Sequence, residues 1–202
     1  MSVKPASASS GSHDGAVPDG VAVPLPLAGE DQARADFYGL FARLLLAPPD
    51  AGRLAALAAA EPIAAAGEFA LEDAWLKLTQ AAAAVDAGAA HDEFAAMFVS
   101  IGTPPLNPYA SFYLTGHLND APLAGLRHDL ASLGLARAPG VGESEDHLGA
   151  LCETMRVLIQ GGPGMPARGL DVQRAFFEAH LRPAPAACLA DVAAGPDANF
   201  YR

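Results

Sequence analysis

Positive charge is scarce in this sequence. Lys4 and Lys77 are its only lysines, the arginines are scattered, and the formal net charge is −11. Proteins bind nucleic acid through clustered Lys and Arg that release counterions from the phosphates. No such cluster occurs here, so nucleic acid is excluded as a partner, and a basic ligand such as an arginine-bearing peptide suits the charge better. Cysteine is equally sparse. Cys152 and Cys188 cannot make a disulfide framework, which agrees with a reducing cytoplasm. No apolar run reaches the roughly 18–20 residues that a membrane-crossing helix needs, so no membrane span is expected. The opening residues lack a basic stretch followed by an apolar one, so no secretory signal is expected.

Enzyme signatures are missing too. There is no G-x-x-x-x-G-K-[ST] phosphate loop, no H-E-x-x-H, no C-x-x-C and no G-x-S-x-G elbow. His13, His91, His117, His128, His147 and His180 never fall four apart, so no helical metal pair is formed. Neither a metal nor a cofactor is expected. Catalytic groups can still come from distant segments, which leaves a small hydrolase or lyase using Asp146 and His147 as one alternative.

What the sequence does have is alanine and helical periodicity. Hydrophobic residues make up 51% of the chain, many of them alanine, the best helix former. Residues 1–29 are rich in Ser, Gly, Pro and Ala without a period and read as a disordered tail. From Asp31 onward Phe37, Leu40, Phe41, Leu44 and Leu45 recur at helical spacing and predict a buried face. Pro48 and Pro49 stop that helix. Further helices are predicted over Arg53–Ala60, Leu71–Ala87 with Gly88 as its stop, and His91–Val99. Pro104, Pro105 and Pro108 break the pattern. Pro122 opens a helix with Leu123, Leu126, Leu130 and Leu133 on one face and Gly134 as its left-handed cap. The cleanest helix spans Asp146–Gln160, with Leu148, Leu151, Cys152, Met155, Leu158 and Ile159 inward. Asp171 caps another, and a last one is expected over Pro185–Val192. No alternating run predicts a strand. The fold class is all-α.

Two stretches carry chemistry. In Asn107–Tyr113, Pro108 fixes the backbone while Tyr109 and Tyr113 offer apolar bodies with polar tips. That composition suits a rigid interhelix loop and equally a peptide groove. In Glu143–His147, three carboxylates precede the cleanest helix, where they interact well with its dipole, and Ser144 or Asp146 can cap it. The same carboxylates beside His147 can receive a guanidinium.

Taken in order, these stretches resemble the TorD/DmsD family of redox-enzyme maturation chaperones. The resemblance is carried by Arg34–Phe41, His91–Val99, Asn107–Tyr113, Glu143–Glu153 and Gln173–Leu181, and runs from about residue 31 to the end. It implies a two-lobed helical bundle, with lobes over about 30–135 and 146–202 and a linker over about 136–145. It also implies a non-enzymatic cytoplasmic chaperone that binds an apo-molybdoenzyme or its twin-arginine signal peptide before export; the oligomeric state, homodimer included, stays open. The family's Pro-Tyr-x-Ser-x-Tyr element falls on Pro108, Tyr109, Ser111 and Tyr113. Its acidic loop falls on Glu143, Ser144, Glu145, Asp146 and His147, so the resemblance makes Pro108, Tyr109, Ser111, Tyr113, Glu143, Glu145, Asp146 and His147 the expected peptide contacts. The sequence departs from the family at Ser144, usually proline, and at Ala184, often tryptophan. The Asn107–Leu114 version looks most like members serving formate-dehydrogenase-type enzymes. A further alternative is a helical adaptor without a peptide groove.

Overall fold

Two helices far apart in sequence set the architecture. In the computed structural model, which describes residues 3–5, 27–63, 67, 69–99, 106–195 and 198–202, α1 (Gly29–Leu46) packs on α7 (Leu148–Gln160). They run antiparallel, because Gly149 faces Ala42 and Leu46 while Gly39 faces Arg156. Small residues make the approach close: Ala35, Gly39 and Ala42 are the buried positions on that side of α1. A Cβ on Gly149 would sit 2.7 Å from Leu46 Cγ and 3.2 Å from the Ala42 carbonyl oxygen.

The remaining helices wrap this pair: α2 (Ala51–Ala58), α3 (Phe69–Ala84), α4 (Ala87–Phe94), α5 (Ala110–Thr115), α6 (Ala121–Ser132), α8 (Leu170–Phe176) and α9 (Pro185–Ala194). Single π-turns extend two of them, Ala95–Val99 after α4 and Phe177–Leu181 after α8. Helix starts follow capping chemistry. Asp50 accepts the Arg53 N–H at 2.7 Å and Asp86 accepts the Ala89 N–H at 2.8 Å. Gly134 follows α6 at φ 75°, the left-handed stop that its position predicts.

Two of the three predicted apolar faces are buried as expected. Leu148, Leu151, Cys152, Met155, Leu158 and Ile159 of α7 are buried, as are Leu123, Leu126 and Leu130 of α6, with Leu133 half-buried. The face on α1 is turned differently. Leu44 is buried, but Phe37, Leu40 and Leu45 are half-buried and Phe41 is 45% exposed. The reason is geometric: the alanine and glycine face takes the contact with α7, which leaves the aromatic face beside it.

Other details also differ from expectation. Gly88 lies inside α4 rather than ending α3, and α8 begins at Leu170, with Asp171 in its first turn. Val3–Pro5 (β1) pair antiparallel with Leu135–Arg137 (β2), although the first lies in the expected tail and no strand was predicted. The rest of that tail up to residue 26, and Pro104 and Pro105, lie outside the described residues. The main core draws Ala35 and Leu126 from one side of the 136–145 linker, and Leu158, Phe176 and Cys188 from the other. This cluster is shared by residues on both sides of that linker. A second cluster joins Leu44, Leu54, Leu57, Ala82, Ala90 and Phe200.

The glycine contact yields a prediction. Alanine is normally the better helix residue by about 1 kcal/mol, but Gly149→Ala must push Leu46 or the Ala42 backbone aside. We expect net destabilisation of about 1–3 kcal/mol, read from urea unfolding. Unchanged or higher stability would show that the α1–α7 approach is looser than described.

Candidate functional site

Of the eight residues singled out from the sequence, Pro108, Tyr109, Ser111, Glu143, Asp146 and His147 contact one another, while the side chains of Tyr113 and Glu145 turn to other partners. The loop before α5 and the loop before α7 are stitched by main-chain bonds: the Leu148 N–H donates to the Pro108 carbonyl at 2.7 Å, and the Ala110 N–H donates to the Asp146 carbonyl at 2.9 Å. Asp146 is 1% exposed. Its carboxylate accepts from the Ser111 N–H at 3.1 Å, from the Ser111 hydroxyl, and from the Ser144 hydroxyl. A buried carboxylate is tolerated only when its lone pairs are satisfied, and two serines and an amide do so here.

His147 caps α7, in place of the expected Ser144 or Asp146. Its Nδ1 accepts the Gly149 N–H at 3.0 Å, and the Tyr109 ring meets it edge-on at a centroid distance of 5.1 Å. Burial pushes the imidazole down to about 4, against the weaker upward pull of Glu143 and Asp146. The Tyr109 hydroxyl donates to Glu143, and burial together with that bond raises the phenol. Burial disfavours charge on Glu145, but Arg127, at 2.9 Å, and Arg137 outweigh it and hold the carboxyl below its usual range. The Tyr113 hydroxyl donates to Asp191 of α9 at 3.0 Å. Pro108, Ser111, Asp146 and His147 are thus buried with partners inside the fold, while Tyr109, Tyr113, Glu143 and Glu145 remain partly accessible. The carboxylate of Asp146 is bonded to serines and not to the His147 ring, so the pair makes no acid–base relay.

A large cavity among the described residues lies elsewhere. It holds about 640 Å³, within the usual range for ligand sites. The aromatic face of α1 forms one wall through Phe37, Phe41 and Leu45. Leu148 and Cys152 of α7 form the buried floor. The opposite wall is Leu181 with Pro185, Leu189 and Val192 of α9. Phe98, Phe200 and Tyr201 also line it, and Arg34 and Arg182 bring its cations. Phe41 and Leu189 are 45% and 56% exposed, so the groove opens to solvent with its apolar side chains showing. Burial drives the Cys152 thiol up to about 12, so the floor stays uncharged.

None of the eight expected contact residues lines this groove. The sequence signals that did point to it were the α1 stripe, read as core, and the spacing of Leu181, Pro185 and Leu189 at every fourth position. No group of three or more metal-ligating side chains occurs among the described residues, and none of their helices is long and apolar enough to cross a membrane.

The fold is thus a helical bundle with an open apolar groove and a separate polar clasp whose buried groups have partners. Comparison with known families gives its class. The family model described as nitrate reductase delta subunit matches residues 65–185, more than half of the chain, and the chain belongs to that family. This is the NarJ/TorD type of chaperone, so the chain is a molybdoenzyme maturation chaperone and not an enzyme. No curated protein matches it.

Two predictions concern the clasp. Asp146→Ala strands the buried Ser111 amide and should cost about 2–4 kcal/mol in urea unfolding; a loss below about 0.5 kcal/mol would contradict the burial. The second concerns pH. His147 is neutral in the fold down to about 4 but takes a proton near 6.5 when exposed. Between those values the unfolded chain binds the extra proton, so this contribution is intact above about 6.5 and is lost as pH falls towards about 4, to the order of 3 kcal/mol. Protonation also removes the lone pair that caps α7. His147→Asn keeps a capping oxygen, and its unfolding midpoint should fall less than that of the wild type between neutral pH and about pH 4. Parallel falls would show that His147 is not the group responsible.

Proposed function

We propose that this chaperone holds the twin-arginine signal peptide, or an equivalent apolar segment, of an apo-molybdoenzyme in the cytoplasm until the cofactor is in place, and that the apolar groove is where it does so. The observation that carries this reading is the groove itself. A folded protein rarely leaves such side chains as Phe41 and Leu189 facing solvent around a cavity of about 640 Å³ unless something covers them. Each leucine or phenylalanine that a client buries there contributes about 1.5–3 kcal/mol, enough for tight but reversible holding. An amphipathic or apolar client helix laid into a helical groove is a recurrent way to do this.

The eight loop residues belong to the proposal as a second, polar contact. Glu143 and Glu145 are the accessible acids of the clasp, and they are the candidates to meet the client's arginines, with Tyr109 and Tyr113 beside them. Pro108, Ser111, Asp146 and His147 hold the two loops together beneath them, while Arg127 and Asp191 fix Glu145 and Tyr113. The client we favour is of the formate-dehydrogenase type, on the strength of the Asn107–Leu114 stretch.

A second reading keeps one observation of its own. Phe69 and Leu76 lie a seven-residue period apart on one side of α3 and are 77% and 51% exposed, which suits an adaptor that docks through α3 and uses no groove. The two separate cleanly. Phe41→Asp and Leu189→Glu alter exposed groove positions and should leave stability within about 1 kcal/mol. Each should weaken binding of a peptide with two arginines followed by an apolar stretch by about 30-fold or more, measured by fluorescence anisotropy. Leu76→Glu should leave that affinity unchanged. Loss of client capture in Leu76→Glu, with Phe41→Asp unaffected, would transfer the function to α3.

A further inference from the structure

Glu93 is a buried carboxylate that neither the clasp nor the groove lining uses. It stands on the inward stripe of α4 and its π-turn, with Ala90, Phe94 and Met97. An acid in such a stripe needs a reason, and the structure supplies one from more than a hundred residues away. The segment after α9 forms neither helix nor strand at residues 198–202, and three consecutive main-chain N–H groups of it converge on Glu93. Asn199 and Tyr201 donate to Oε1 at 2.8 and 2.9 Å, and Phe200 donates to Oε2 at 3.0 Å.

What this clamp fixes is part of the groove lining. Phe200 is buried among Leu44, Leu54 and Leu57, and both Phe200 and Tyr201 line the cavity. The Tyr201 hydroxyl donates to the Leu44 carbonyl at 3.0 Å, and its ring lies 5.4 Å from that of Phe98. A segment without secondary structure has no ladder of its own to hold its shape. Remove the carboxylate and three amides lose their acceptor together, leaving the rings attached to the core by packing and one hydroxyl.

We propose that Glu93 is the positioning residue of the client groove: it fixes residues 199–201 so that Phe200 and Tyr201 form part of the wall against which the client's apolar segment packs. The inference rests on the reading of the groove as the client site. Charge matters to it because both carboxylate oxygens accept. Glutamine offers one acceptor, and its NH₂ must face one of the three N–H groups, donor against donor.

The test uses the full chain and the same synthetic peptide of two arginines followed by an apolar stretch. In Glu93→Gln the amides of residues 199–201 should exchange with solvent at least about tenfold faster while those of α7 keep their rates, since only the clamp has opened. Peptide affinity should drop by about tenfold, the scale of one charged hydrogen-bond acceptor or one lost hot-spot contact. Tyr201→Ala removes wall and leaves the clamp atoms in place; it should lose affinity similarly with Glu93 untouched, and unchanged affinity there overturns the wall whether or not Glu93→Gln folds. Faster exchange at 199–201 with unchanged affinity in both variants would overturn the role in binding. Unchanged exchange would overturn the clamp. Tighter binding by Glu93→Gln would overturn the proposal as well, showing that the segment competes with the client. If the wild type binds no such peptide, the client reading fails, and the exchange arm alone decides whether Glu93 fixes the wall.

Discussion

The close approach of α1 to α7 is the contact on which the rest depends. Side chains on a helix cannot all face one neighbour, and whichever face makes the tightest contact dictates where the others go. Here Ala35, Gly39 and Ala42 meet α7, and Gly149 on α7 has no room for a Cβ against Ala42 and Leu46. That contact turns Phe37, Phe41 and Leu45 away from the α7 seam towards the space that α9 bounds on the other side. Had the large residues of α1 taken the seam, the helices would stand further apart and the cavity would be filled core. The groove is therefore a consequence of which side of α1 is small.

The clasp solves a different problem. Two loops without regular structure must be held together beneath the surface, where each unpaired polar group costs free energy. Asp146 answers for both: its main-chain carbonyl takes the Ala110 N–H, and its carboxylate takes the Ser111 amide and two hydroxyls. His147 then turns its ring lone pair on the first turn of α7. Such a network is stable only when complete, which accounts for the mixture of Ser, Asp and His without any appeal to catalysis. It also divides the loop residues by depth, buried ones that hold and accessible ones that can touch.

Much of the fold could be read directly from the chain. The helical period of α6 and α7 runs on through Pro122, Gly125 and Gly149, and its apolar positions are the ones that are buried. The period on α1 was equally legible, but its meaning was not: spacing tells which side chains share a face, and not whether that face meets a helix or a cavity. The clasp residues could be found because they lie in two short contiguous stretches. The groove could not, because its lining comes from α1, α7, α9 and residues 200–201, and no local pattern joins Phe41 to Leu189. Glu93 is the instructive omission. An acid at the inward position between Ala90 and Phe94 conflicts with its apolar stripe, and such a conflict signals a distant partner without saying which.

Because the groove is assembled from segments far apart in sequence, it exists only in the folded chain. Binding and folding are then linked: a client that enters the groove stabilises the fold by about 2.7 kcal/mol when present at a hundred times its dissociation constant. The gain falls on the elements that line the cavity: α1, α7, α9, Leu78 of α3 and the segment held by Glu93. The linkage runs the other way as well. Whatever loosens that lining raises the cost of ordering it, and the client must supply the difference from its own contacts. On the proposed reading of the groove as the client site, the segment held by a single carboxylate is the part of the lining that can loosen most independently. It can weaken while the α1–α7 core stays intact.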